Sequence, residues 1–435
     1  MSSRPRLIRA IPLGNWSGWI VRAGDLTGDG LPDFVFAQNP YLTQEISCIT
    51  AVSFDGEVLW QAGEPAEENY CSTYDLAIQV HDWDGDGANE VVAVLGGELV
   101  VLDGATGARK ASAPAPANDA IAFANLTGGD RSDLIVKDRY GEVFALDGDF
   151  RLLWSHKGNV GHYPIPYDVF DEGADCVLCG YQLLSPKGKV LWEFSADEHA
   201  DSIDVRKGVF PGDDSPYAVV GNGGITLVEA RTGRVRWRAR VKEAQHVNFG
   251  KFRADRPGLQ IVSVDRIPPR TRAGRALLRV HDAEGELLWE QDLGPGSWLA
   301  MSHAITWLGS ERGEQIFLNR LGLAGPPRII DGRGELVAEL PMPHVYGRDG
   351  RWVERYRSVE PPTGSPFRSD FLVWPGHYGE NDPYAEHNFG IKLDCYGDDR
   401  HEAIVYDRNF LYVYTNAAVR NLPHLSNQTM YTGPC

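Results

Sequence analysis

One motif recurs eight times along the chain, and an internal repeat restricts the possible folds more than any other sequence feature. Its clearest copies are AGDLTGDGLPDFVF (23–36) and VHDWDGDGANEVVAV (80–94), each an alternating strand, a turn rich in Asp and Gly, and a second apolar strand. Weaker copies begin at Phe123, Tyr167, Lys207, Gly250, Thr306 and Leu393. A second signature follows each of the first seven, a strand, a Gly-containing turn and another strand, as in SFDGEVLW, ALDGDFRLLW and VHDAEGELLW. Trp60, Trp154, Trp192, Trp237 and Trp289 stand at the same place in five of these runs, where they are read as packing between outer strands. Each repeat thus supplies four short antiparallel strands, A to D, roughly every 40 to 57 residues, which predicts an all-β protein, an eight-bladed β-propeller.

The eighth copy has strands A, B and C (FGIKLDC, EAIVYD, FLYVYTN) but no D, while the N-terminal run RLIRAIPL has no blade of its own. Pairing the two leftovers, residues 6–12 beside 410–416, closes the ring and removes an open sheet edge. Seven blades would follow only if one weak copy were an insertion. The whole chain, 1–435, is read as one propeller domain, with a long insertion at about 344–388 rich in Pro, Gly and aromatic residues.

Composition narrows the partners. Forty-two Lys and Arg against 60 Asp and Glu leave a net charge of −18, which repels nucleic acid and anionic membranes, although a local Arg cluster can still hold a small anion. No run approaches the roughly 20 apolar residues of a membrane span. The start, MSSRPRLIRAI, is basic without a signal-type apolar run, so the expectation is a cytoplasmic monomer, or a secreted one if a leader has been removed. The six cysteines are too sparse for a disulfide scaffold, and Cys176-x-x-Cys179, inside the strand-like ADCVLCGY, is read as a pair of buried thiols.

The two best A-to-B turns place oxygen ligands at alternate positions. Asp25, Thr27, Asp29 and Asp33 line the first; Asp82, Asp84, Asp86 and Glu90 line the second. Hard oxygens around a glycine-permitted turn suit calcium, the expected cofactor, in a structural role on the bottom face. In the degenerate copies, including Asp394, Asp398 and Glu402, the same residues are read as hydrogen-bonded Asx-type turns.

The top face of a propeller is built by the lead-ins to strand A and by the B-to-C turns. The lead-ins carry Tyr74, His162, Tyr163, His199, His246, His303 and His387, so that five of the twelve histidines share one structural position. The B-to-C turns carry Arg139, Arg266, Arg320 and Arg408, and Trp16, Trp19 and Trp298 lie near strand A starts, where an indole can stack on a sugar ring. Arg forks pair bidentately with carboxylates, and His titrates near neutrality, a combination that suits an anionic sugar.

Acidic FG-GAP-like turns of the integrin type, a His, Arg and Tyr funnel and the ending VYTNAAVRNLPHLSNQTMYTGPC together resemble the β-propeller polysaccharide lyases, among them rhamnogalacturonan, ulvan and rhamnose-glucuronate lyases. The resemblance implies β-elimination at a uronic acid in an oligosaccharide or polysaccharide. It assigns base or acid roles to His162, Tyr163, His199, His246 or His303. Substrate binding falls to Arg139, Arg266, Arg320, Arg408, His387, Tyr74 and Trp298. The D-G-x-x-x-W runs also resemble the tryptophan-docking repeats of quinoproteins and their non-catalytic relatives, so the alternative is a propeller that binds a carbohydrate or a protein without chemistry.

Overall fold

The computed structural model describes residues 5–40, 45–66, 69, 75–196, 198–269, 273–343 and 388–416. They form eight four-stranded antiparallel sheets, each in the order A-B-C-D. Blade one is built from Ile20–Gly24, Asp33–Gln38, Cys48–Val52 and Val58–Gly63. Strand A of blades two to seven is Ile78–His81, Ala120–Ala124, Ile165–Tyr167, Ser202–Arg206, Ala244–Gly250 and Met301–Ile305. Blade eight combines Phe389–Leu393, Glu402–Tyr406 and Phe410–Thr415 with the N-terminal strand Arg6–Pro12, whose Leu7 pairs with Tyr414 and Pro12 with Phe410. The ring is therefore an eight-bladed propeller closed by the N-terminal strand, as the repeat predicts. Two short 3₁₀ turns, Ser310–Arg312 and Gly322–Ala324, interrupt the strands, and among the described residues no helix is long and apolar enough to cross a membrane. Of the predicted insertion at 344–388, only Asn388 lies within the described residues.

Burial follows strand position. Strands A, B and C of blade one are buried throughout, because apolar faces of neighbouring blades enclose both sides. Strand D faces solvent on one side and alternates, as in Arg234–Ala239, where Arg, Val, Arg, Trp, Arg and Ala alternate between exposed and half-buried. The tryptophans at this outer position join the blades. Trp60 Nε1 donates to the Gly104 carbonyl (2.7 Å), Trp192 to Ala230 (2.7 Å) and Trp237 to Ala283 (2.9 Å), each in the next blade's C-to-D turn. The ring lies over a glycine of that turn: a Cβ at Gly107 would meet Trp60 at 2.6 Å, and one at Gly233 would meet Trp192 at 2.5 Å. Both glycines also have φ above +65°, so backbone conformation and close approach demand the same residue.

The A-to-B turns share a closing device. The first residue of strand B accepts a backbone N–H from the start of the turn: Asp33 from Leu26 (2.9 Å), Glu90 from Trp83 (2.9 Å), Asp133 from Leu126 (2.7 Å) and Glu402 from Cys395 (2.8 Å). Gln260 and Gln315 do the same without charge in blades six and seven, from Arg253 (2.7 Å) and Trp307 (3.0 Å). The repeat's final acid is thus a turn closure in its own right. Cys176 and Cys179 are buried free thiols on strand B of blade four, as read from their run.

Candidate functional site

The predicted top-face residues fall into two groups. The first spans blades two to five and centres on His162, the residue three places before strand A of blade four. His162 Nδ1 lies 2.5 Å from Asp75 Oδ2, and its Nε2 lies 3.4 Å from Asp201 Oδ1. His199 Nε2 approaches the same Asp201 oxygen at 3.2 Å. Tyr140 completes the group: its hydroxyl is 3.4 Å from His162 Nε2, and its ring stacks on His199 with centroids 4.1 Å apart. Arg139 lies over the Tyr140 ring at 5.0 Å and reaches Asp119 at 3.5 Å, while the buried Lys137 pairs with Asp119 directly.

These contacts set the charges. Burial alone would lower the His162 pKa, but the charge of Asp75 and the hydrogen bonds of Asp201 and Asp75 outweigh it and raise it to about 9. Burial works the other way on Asp201, yet hydrogen bonds from His162 and His199 hold it below the usual carboxylate range. Burial pushes the Tyr140 phenol upward, against the field of Arg139. His162, protonated at neutral pH, thus lies between Asp75 and Asp201, while Asp119 lies against Lys137 and Arg139; burial and the charge of Asp75 raise the Asp119 pKa against the pull of those two side chains.

The second group lies on blades six to eight and has a different character. His246 and His303 are buried, with rings 5.7 Å apart. Burial and then the Arg266 charge lower His246 to about 3, and burial and His246 hold His303 well below the ordinary value, so both are neutral. His303 pairs with Phe317 in mid-strand, inside the blade rather than at the mouth. Arg266 lies over the Trp298 ring at 4.4 Å and near Glu243 at 3.4 Å. Trp298 is only 1% exposed and thus supports Arg266 instead of offering its own face to a sugar. Arg320, at φ +54°, is buried over Phe389 at 4.7 Å. Arg408 is half-buried at its turn in blade eight. Tyr163 points inward, its hydroxyl accepting from the buried Arg22 at 3.3 Å, and burial raises its pKa. A small, largely enclosed cavity lined by Tyr163, Ala200, Asp201, His246 and Asn248 lies between the two groups. Trp19 is buried against Phe389, and the half-buried Trp16 packs edge-on against Phe36. Tyr74 and His387 lie outside the described residues.

Sequence reasoning did not select Asp75, Asp119, Asp201, Lys137 or Tyr140. A signal exists for the acids: in DLAI, DAI and DSI an aspartate stands immediately before the apolar start of strand A, at the position the histidine search covered. Tyr140 directly follows Arg139 in the KDRY turn.

On the bottom face the two acidic turns differ. In the first, both Asp25 oxygens accept backbone N–H groups, from Gly28 (2.7 Å) and Gly30 (2.9 Å); Asp29 accepts from Leu31 (2.8 Å), and Asp33 accepts from Thr27 as well as Leu26. In the second, the Lys110 ammonium from strand D lies 2.8 Å from Asp84, 2.7 Å from Glu90 and 3.5 Å from Asp86. Asp82, Asp84 and Asp86 can place carboxylate oxygens within 4.8 Å of one another, and one buried oxygen of Asp82 has no hydrogen-bond partner. This donor set fits a cation, and Lys110 supplies one from the chain itself.

Residues 181–320 match the family model described as outer membrane protein assembly factor BamB. No curated protein sequence matches the chain. Among solved structures, the exotype rhamnogalacturonan lyase YesX superposes with a TM-score of 0.64 at 16% identity, covering 98% of this chain and 76% of its own. The Bacillus licheniformis rhamnogalacturonan lyase PL11 gives 0.59 at 16% identity over 98% and 72% of the two chains. BamB from Moraxella catarrhalis gives 0.54 at 14% identity over 96% and 99%. At such identities these likenesses establish the propeller fold.

Proposed function

We propose that the chain is a polysaccharide lyase that cleaves a uronic-acid glycoside by β-elimination at the blade two-to-five cluster. The observation that carries this reading is the meeting, at one mouth, of Arg139 and a charged His162 with the stacked pair Tyr140 and His199. A uronate carboxylate placed against Arg139 and His162 has its charge offset, which acidifies the C5 proton and stabilises the enolate-like charge that forms when that proton leaves. The Tyr140–His199 pair removes the C5 proton. The C5–H electrons form the C4=C5 double bond, the C4–O bond breaks, and the departing oxygen takes the proton that the Tyr140–His199 pair has just received, leaving a 4,5-unsaturated uronate. Positioned proton transfer of this kind is worth about 10²–10⁴ in rate. Similarity to rhamnogalacturonan lyases supports a polysaccharide substrate of that class.

Calcium fits the bottom-face turns as a structural ion. Asp82, Asp84, Asp86 and Glu90 would hold it in blade two once Lys110 swings away, whereas the turn of Asp25, Thr27, Asp29 and Asp33 in blade one would have to turn carboxylate oxygens from the backbone N–H groups they now accept; bound there, it would stiffen the turns far from the reacting sugar.

The test is to mix the purified protein with rhamnogalacturonan and glucuronate-containing oligosaccharides and follow the ultraviolet absorbance of the unsaturated uronate. Product formation, and its loss in Arg139→Lys, Tyr140→Phe or His199→Gln, is expected. A second reading, a binding propeller without chemistry, draws on the BamB-type match and the docked tryptophans. Oligosaccharide or protein binding with no unsaturated product would establish it in place of the lyase.

A further inference from the structure

His162, His199 and Asp201 converge in a way that proton transfer alone does not require. All three offer ligand atoms within 4.8 Å of one another. Asp201 Oδ1 lies 3.4 Å from His162 Nε2 and 3.2 Å from His199 Nε2. Ligand atoms about 2.0–2.1 Å from a tetrahedral ion stand roughly 3.3 Å from each other, so these separations already match a shared metal. The far side of His162 supports the same conclusion: Nδ1 faces Asp75 at 2.5 Å, the carboxylate–histidine arrangement that orients a ligating imidazole, and a metal at Nε2 would replace the proton that otherwise bridges it to Asp201. Asp201 is 5% exposed, and its second oxygen has no hydrogen-bond partner.

We propose that His162 Nε2, His199 Nε2 and Asp201 Oδ1 form a divalent transition-metal site, of the zinc class, on the top face, with Asp75 as its orienting carboxylate. Two imidazoles and one carboxylate favour a borderline-soft ion over calcium or magnesium, and three protein ligands leave a fourth position open. A divalent ion held there adds positive charge beside Arg139 at the mouth. A uronate carboxylate then completes the coordination beside Arg139. This role rests on the lyase reading: with His199 engaged as a ligand, Tyr140, 3.4 Å from His162 Nε2, acts as a phenolate favoured by the divalent charge, takes the C5 proton and passes it to the departing oxygen.

The test uses the full-length, tag-free protein, stripped with a chelator and titrated with zinc by calorimetry and with cobalt(II) by visible absorption, both without substrate. One zinc per chain that survives excess calcium is expected, together with a tetrahedral cobalt band. His162→Ala and His199→Ala should each abolish the band at an unchanged far-ultraviolet circular dichroism spectrum. Asp75→Asn should weaken zinc about 10–100-fold, and Asp82→Asn, on the opposite face, should leave it unaltered. Absence of zinc binding, or zinc binding that persists in the His162→Ala/His199→Ala double variant, overturns the site. Elimination that proceeds in chelator by a protein that binds no zinc overturns the metal and leaves the lyase reading standing. Zinc bound at these residues by a protein that yields no unsaturated product supports the metal and overturns the lyase.

Discussion

Glu402→Gln is expected to stabilise the protein at neutral pH, because the native carboxylate is buried at a place where two other blades use an amide. Glu402 is 0% exposed; one oxygen accepts the Cys395 N–H at 2.8 Å and the other the Thr415 hydroxyl at 2.7 Å. Burial, reinforced by the charges of Asp398 and Asp394, raises its pKa from 4.5 to about 7 against these hydrogen bonds. Below pH 4.5 the group is protonated in folded and unfolded chains alike, and its pKa shift has no effect. Between pH 4.5 and 7 the unfolded chain ionises while the folded one retains its proton, so stability falls; above 7 both are ionised and the loss is constant. The gap corresponds to about 3 kcal/mol at pH 8. A glutamine keeps the acceptor for Cys395 and donates to Thr415, as Gln260 and Gln315 accept at the equivalent turns. Urea unfolding of both proteins at pH 4.5 and pH 8 checks this, with the variant nearly equal at the lower pH and about 3 kcal/mol more stable at the higher. A difference that does not change with pH, or a variant weaker at pH 8, would refute the reasoning.

Three further outcomes are expected. Gly107→Ala and Gly233→Ala, which set a Cβ against Trp60 and Trp192 at positive φ, should each lose roughly 1–3 kcal/mol in the same assay, whereas Gly87→Ala, with φ +90° but nothing within 4 Å, should lose less. Calcium should raise the melting temperature, and Lys110→Met should strengthen its binding by removing the ammonium that lies among Asp84, Asp86 and Glu90; a calorimetric titration in which Lys110→Met and the parent bind alike would contradict the competition. His303→Asn should retain elimination activity within a few-fold, since His303 is enclosed beside Phe317, while Arg139→Lys, which keeps charge and loses the fork, should reduce kcat/KM by at least about tenfold; equal effects of the two would undo the assignment of the site to blades two to five.

The fold was legible in the sequence because its determinants are local. An A-to-B turn needs Asp and Gly at set positions, a C-to-D turn needs glycine under a tryptophan, and both requirements repeat along the chain with little dependence on distant residues. Even the closure could be read, since a blade lacking strand D and an N-terminal strand lacking a blade have one simple solution. The site was legible only as a ring. Counting register places His162, His199, His246 and His303 near one face, but a few positions of depth separate a mouth from a core: His303 stands third in its strand and is enclosed, while His162 and His199 precede theirs and face Asp201.

The acids were harder to find than the bases for a physical reason. A search for residues that hold an anion passes over aspartates, because each alone would repel it. Their effect is indirect. Asp75 and Asp201 raise His162 until it carries charge at neutral pH, and Asp119 neutralises Lys137 beside Arg139, so that cations can be gathered at one mouth of a protein with a net charge of −18. On blades six to eight burial dominates instead: it lowers His246 together with the charges of Arg266 and Arg320, and lowers His303 together with His246, so both stay neutral. The same residue type, at one recurring position of one repeat, is thus charged on one side of the mouth and uncharged on the other, and the difference lies in which lead-ins carry an aspartate. A pattern of acids within the repeat, rather than the histidines themselves, marks where on the ring an anionic sugar would be held.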